Sequence, residues 1–214
     1  MIDAPRLIVN FKTYEHASGT HAIELAKKIL INKCVFVCPQ LIDLPFIKKQ
    51  VFAQHVDPIT PGRNTGFISP QTLKHHGVRG SLINHSEHPI SLTNINHTIR
   101  ILKTLSMTSI VCSPTAQHAR KVSKLKPDFV AFEPPELIAG DVSVSRAQPD
   151  NILAAVKNSR VPVLVGAGVK TKKDVRAATE LGAYGVLVAS GVVNAKNPTR
   201  IVQSFLSHLP SDTT

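Results

Sequence analysis

Apolar and polar positions along this chain fall into two alternating patterns. Short apolar runs, such as LIVNF at residues 7–11 and VFVC at 35–38, read as strands buried on both sides. The segments between them place apolar residues at helical spacing, as at Ala22, Ile23, Ala26, Ile29 and Leu30. Continued along the chain, the pattern predicts strands at 7–11, 35–38, 52–55, 80–84, 108–112, from 129 to the glutamate at 133, 162–165 and 185–189. Helices are predicted at 22–31, 44–50, 70–76, 92–105, 116–125, after 149–150, at 172–181 and at 198–206. The punctuation agrees. Ser91 or Thr93 can cap the fourth helix, Pro127 stops the fifth, Gly182 ends the seventh and Asn197-Pro198 opens the last. The tail from Ser207 is expected to fray.

Strands that carry apolar residues on both faces imply an all-parallel sheet covered by helices. Eight strand-helix units point to a closed (β/α)8 barrel. A doubly wound open sheet is the alternative, because a count of units does not prove closure. At 214 residues the barrel must be compact, with shortened helices and loops, and the second helix is the weakest. The even spread of apolar residues predicts a single domain over 1–214.

The formal charge of +11, from 25 basic and 14 acidic residues, favours anionic partners. The basic residues are spread over several helices and only 5% of residues are aromatic. No cationic stripe interleaved with stacking rings is visible, so nucleic acid is not expected, and a phosphorylated metabolite accounts for the charge as well. No apolar run has the length of a membrane span, and the opening MIDAPRLIVNFK lacks the pattern of an export signal. No membrane partner and a cytoplasmic location are the expectations. Cys34, Cys38 and Cys112 each lie in apolar runs and behave as small hydrophobes, so neither a structural disulfide nor a zinc site is predicted.

In a barrel the chemistry gathers at the C-terminal ends of the strands. Asn10 and Lys12 follow the first strand, two apart, so in an extended chain both face one way and offer an amide and an ammonium to an anion. The simpler reading is a strand-end asparagine turn before an exposed lysine. Asn84-His85-Ser86-Glu87 follows the fourth strand, with a helix start capped by Ser86 as one possibility. A helix N-terminus lowers a histidine's pKa, and a neutral His85 could donate to a carbonyl oxygen; a structural histidine is the alternative. Glu133 ends the sixth strand and is followed by Pro134-Pro135 and a long loop to Ser143. A carboxylate beneath a partly rigid loop reads as a general base under a lid, against the plainer reading of a surface glutamate. Gly166-Ala167-Gly168 and Ala189-Ser190-Gly191 follow strands seven and eight, where small residues let backbone N–H groups approach a phosphate, or simply make tight turns.

Taken in order, these motifs form a set: Asn10-Phe11-Lys12, Ala53-Gln54-His55-Val56-Asp57, Asn84-His85-Ser86-Glu87, Glu133-Pro134-Pro135-Glu136-Leu137-Ile138, Val142-Ser143-Val144-Ser145, Gly166-Ala167-Gly168 and Val188-Ala189-Ser190-Gly191. Over nearly the whole chain the set resembles the triosephosphate isomerases in their compact archaeal form. The resemblance implies a triose phosphate substrate, with dihydroxyacetone phosphate and D-glyceraldehyde 3-phosphate interconverted through an enediolate in glycolysis and gluconeogenesis. It implies no cofactor and no metal. It makes Glu133 the base, His85 the electrophile and Lys12 the cation of the catalytic trio, with Glu87 beside Lys12. Substrate contacts are implied at Asn10, Phe11, Lys12, Ile138, Gly168, Ala189 and Ser190, under a closing lid at 134–143. The lid tip, Ala139-Gly140-Asp141, departs from the glycines that many relatives carry on both sides of it. A homodimer or homotetramer is also implied, with the long third loop, 57–69, docking into a partner subunit. Another phosphate-binding (β/α)8 enzyme would share loops seven and eight but need different groups at the other strand ends.

Overall fold

The computed structural model describes residues 5–134 and 144–210, the side chain of Arg146 excepted. Eight strands run in parallel: β1 Leu7–Asn10, β2 Val35–Cys38, β3 Phe52–Ala53, β4 Gly80–Ile83, β5 Thr108–Ser113, β6 Phe129–Phe132, β7 Val163–Val165 and β8 Gly185–Val188. Their order is β2-β1-β8-β7-β6-β5-β4-β3. A parallel bridge between Val37 and Val51 joins the two ends of that list, so the sheet closes into a barrel. Closure settles the choice left open by the count of units and excludes the open doubly wound sheet.

The outer wall is formed by α1 Thr20–Ile29, α2 Pro70–His75, α3 Leu92–Thr104, α4 Ala116–Ser123, the one-turn α5 Val144–Ala147, α6 Pro149–Asn158, α7 Lys172–Glu180, the one-turn α8 Ser190–Val193 and α9 Pro198–Leu206. Ser91, Thr115 and Asn197 each accept the backbone N–H three residues on, in the first turn of the helix that follows. The second helix is where the pattern misleads. A 3-10 helix, Leu41–Phe46, stands where residues 44–50 suggested an α-helix. Pro45 lacks the N–H that continued helix bonding needs, and Gln50, at φ +56°, turns the chain into β3. The Gln50 amide fixes that turn by donating to Asn32 O at 2.7 Å and Val35 O at 2.6 Å.

Strand alternation divides the core in two. Leu7, Val9 and Phe11 pack outward with the helices, in a cluster that includes Ala22, Ile29, Ile95, Val175 and Phe205. Ile8, Phe36, Cys38, Phe52, Leu82, Ile110, Cys112, Phe129, Ala131, Leu164 and Leu187 fill the barrel, where the Phe36 and Phe52 rings stack at 4.5 Å. The interior is packed through its middle and lower layers, which leaves the strand C-termini as the place for polar groups.

Candidate active site

Glu133 continues the inward face begun by Phe129 and Ala131, and this periodicity carries a carboxylate to the top of the barrel interior. Its N–H donates to Ser113 O at 2.9 Å, which extends the β5–β6 register by one residue. The side chain is buried, and Oε2 has no hydrogen-bond partner. The Cys112 thiol lies beneath the carboxylate, and burial raises its pKa, so it stays protonated. Burial also raises the Glu133 pKa above the usual carboxylate value, opposed by His85, the Cys112 hydrogen bond and Lys12. Space for this side chain comes from β7. A Cβ at Gly166 would lie 2.5 Å from Glu133 Oε1 and 2.6 Å from Cγ. The sequence marks Gly166 only as part of a phosphate-sized turn; its use as clearance for Glu133 depends on a neighbouring strand far away in the chain.

Lys12 reaches the site by a route that differs from extended alternation. Strand β1 stops at Asn10, and Lys12 has left-handed backbone, φ +47°. The Asn10 side chain accepts the Lys12 N–H at 3.0 Å, and Gln54 Nε2 donates to Lys12 O and to Cys38 O, both at 2.9 Å. The strand-end asparagine turn of the simpler reading is what forms, clamped from a second side by Gln54, and a non-glycine residue keeps a costly conformation because its neighbours over-determine it. Lys12 Nζ lies 2.6 Å from Glu87 Oε1. Gln54 is the residue that sequence reasoning passed over here, though it stood inside a recognised motif.

His85 follows β4, but no helix begins at Ser86. The next helix is α3, starting at Leu92 and capped by Ser91, so the expected helix N-terminus at His85 is absent. Asn84 takes the hydrogen bonds a helix start would have used: at φ +61° its Oδ1 accepts Ile90 N–H at 3.0 Å. The state of the His85 ring is set another way. Glu87 N–H donates to His85 Nδ1 at 3.2 Å, so Nδ1 carries no proton and the hydrogen of the neutral ring sits on Nε2. Nε2 lies 3.9 Å from Glu133 Oε2.

Loops seven and eight complete a pocket lined by Asn10, Lys12, His85, Glu133, Gly168, Ala189 and Ser190. Tyr14 and Lys170 line it too, and neither was singled out in the sequence. Ala167 and Gly168 have φ of +69° and +70°, and the Thr171–Asp174 capping box of α7 anchors the end of the loop. Gly191 lets loop eight lie against loop seven, since a Cβ there would stand 3.0 Å from Lys170 Cα and Val169 O. Ser190 opens α8, whose first N–H groups have no partner within the helix. Phe11 does not line the pocket: its side chain is fully buried in the outer core. Residues 135–143 of the expected lid at 134–143, with Ile138 and the tip Ala139-Gly140-Asp141, lie outside the described residues.

Comparison with known proteins follows the same lines. The family model described as "Triosephosphate isomerase" matches residues 5–205. The chain is 40% identical to the triosephosphate isomerase of Methanobrevibacter smithii, over 97% of this chain and 100% of that one. It is 40% identical to that of Archaeoglobus fulgidus, over 95% and 97% of the two chains, and 38% identical to that of Saccharolobus solfataricus, over 95% of each. With a matching barrel, a matching order of strand-end motifs and full-length relatives, the chain belongs to the triosephosphate isomerase family.

Proposed function

We propose that Glu133, His85 and Lys12 carry out the reaction of this family, the interconversion of dihydroxyacetone phosphate and D-glyceraldehyde 3-phosphate. The enzyme is an intramolecular aldose-ketose isomerase of glycolysis. Glu133 takes a proton from the carbon beside the substrate carbonyl and returns it to the neighbouring carbon. His85 Nε2–H donates to the carbonyl oxygen as negative charge builds there, and Lys12 offsets the charge of the enediolate and the phosphate. Gly168, Ala189 and Ser190 hold the phosphate, with Asn10 adding a hydrogen bond and Ile138 a further substrate contact. Glu87 keeps Lys12 extended toward the substrate.

The observation that carries this reading is the pairing of a buried carboxylate with a neutral imidazole donor: Glu133 Oε2 and His85 Nε2 face one pocket 3.9 Å apart. Burial holds the Glu133 pKa up, toward the value that suits a base working near neutrality. The test is turnover of dihydroxyacetone phosphate by the purified protein, coupled to a dehydrogenase that reads the aldehyde. Glu133→Ala is expected to abolish proton exchange at the substrate carbon while phosphate binding persists. Full turnover by the folded variant would refute the assigned base.

The chain acts as one domain over 1–214, in the cytoplasm, and self-associates as a homodimer or homotetramer. Exposed Leu41, Ile42 and Phe46, and Phe67 in the third loop, support self-association, since a monomer gains nothing by displaying them. The cleft beside them is lined by Lys12, Gln54, His55, Ile68 and His88, which places the third loop and the catalytic lysine along one edge.

A further inference from the structure

We propose that Asn84 is a positioning residue for the isomerisation: it fixes the loop that carries His85 against the strand that faces the base. The proposal rests on the reading of His85 as the electrophile given above. Asn84 sits between β4 and His85 with a left-handed backbone, φ +61°, and its side chain is almost wholly buried. Both ends of its amide are used. Nδ2 donates to Cys112 O on β5 at 3.0 Å, and Oδ1 accepts Ile90 N–H at 3.0 Å, six residues further on.

Those two bonds close the 84–90 loop and dock it on β5. Inside the closed loop His88 N–H donates to His85 O at 2.8 Å and Glu87 N–H donates to His85 Nδ1 at 3.2 Å. The second bond selects the ring tautomer, so whatever fixes Glu87 relative to His85 also decides which nitrogen carries the proton. The docking point matters as much. Cys112 accepts the Asn84 amide at its carbonyl, and its buried side chain lies beneath Glu133, so one residue of β5 stands between the clamp of the electrophile loop and the base. Asn84 thereby sets the position of His85 Nε2 relative to Glu133 without touching substrate, and a shift of about 1 Å in such a pair is enough to slow the reaction on the order of 100-fold.

The test uses two variants of the full chain. Asn84→Gly keeps the left-handed backbone at no steric cost and removes both side-chain bonds, whereas Asn84→Asp keeps the acceptor for Ile90 N–H and loses the donor to Cys112 O. For Asn84→Gly the expected result is a fall in kcat of about 10- to 100-fold with KM within about threefold, because an electrophile acts in the transition state more than in binding. The nitrogen-15 NMR signals of His85 should move from a single neutral tautomer protonated at Nε2 to a mixture. In a His85→Gln background the same change should cost no further activity, since Asn84 acts through the ring that is gone. A folded Asn84→Gly protein with kcat within about twofold of the parent and an unchanged His85 signature would overturn the proposal, as would an equal loss in the His85→Gln background. Should Asn84→Gly not fold, Asn84→Asp decides, with a smaller fall in kcat expected and parental activity contradicting the clamp. Parental turnover in His85→Gln itself would instead sink the role given to His85, and the nitrogen-15 signature keeps the two failures apart.

Discussion

The Glu133 carboxylate owes its room to an absent side chain at the end of the neighbouring strand. Gly166 faces Glu133, and any Cβ there enters the space of the carboxylate. Gly166→Ala should therefore displace Glu133 and lower kcat by about 100-fold while costing about 1–3 kcal/mol of stability, measured by turnover and by urea unfolding. Burial of Glu133 also has a pH signature. Its pKa is raised in the folded state, so between the ordinary carboxylate value and the raised one the folded protein holds more protons than the unfolded chain, and stability falls as pH rises through that window. Below the ordinary value both states are protonated and the stability is fully present. Glu133→Gln does not titrate, so it should unfold at a higher temperature than the parent at neutral pH, with the gap closing as the pH falls into the carboxylate range. Thermal melts across that range check the sign. At this scale the sequence identified the carboxylate but not its clearance, because the spacing from 133 to 166 says nothing of which strands lie side by side.

Among the elements, the loops that carry the site are held by side chains of their own. The Thr171–Asp174 capping box ties the start of α7 to the end of loop seven, where Asp174 also accepts the Lys170 N–H at 3.2 Å. Thr171→Ala should cost about 1 kcal/mol in urea unfolding, and the loosened loop should raise KM for the phosphorylated substrate more than it lowers kcat. The periodic pattern located the long elements well: α3, α4, α7 and α9 lie within one or two residues of where helical spacing and capping residues put them. It failed where side chains outweighed propensity: the missing helix at Ser86 belongs to Asn84, and the 3-10 helix Leu41–Phe46 to Pro45 and Gln50. The turn at Lys12 is the strand-end asparagine turn that the sequence also offered, with Gln54 as a second clamp.

For the whole molecule, the net charge of +11 places an anionic substrate in an attractive field. The value of kcat/KM should fall as ionic strength rises while kcat holds, a separation that steady-state assays at several salt concentrations would reveal. The proposed self-association belongs to this scale too. Ile42, at 78% exposure, and Phe46, at 61%, lie on the 3-10 segment whose Leu41, Leu44 and Pro45 line a cleft with Phe67 and Ile68 of the third loop. Replacing Ile42 with Glu should lower the mass seen by light scattering, and an unchanged assembly would move the contact elsewhere.

What the sequence determined alone was the alternation of buried strands with amphipathic helices, and with it the set of residues standing at strand ends: Asn10, Lys12, His85, Glu133, Gly168, Ala189 and Ser190. Those features are local, since periodicity and turn chemistry act over a few residues. Only the tertiary structure decided that the sheet closes, through the bridge from Val37 to Val51, and closure is what brings strand ends 123 positions apart in the chain, from Asn10 to Glu133, into one pocket. It also decided the contacts that tune them: the Cys112 thiol under Glu133, the space at Gly166, the Gln54 clamp on Lys12 and the Asn84 clamp on the His85 loop. Each depends on which strands become neighbours, and that is fixed by the packing of the whole barrel.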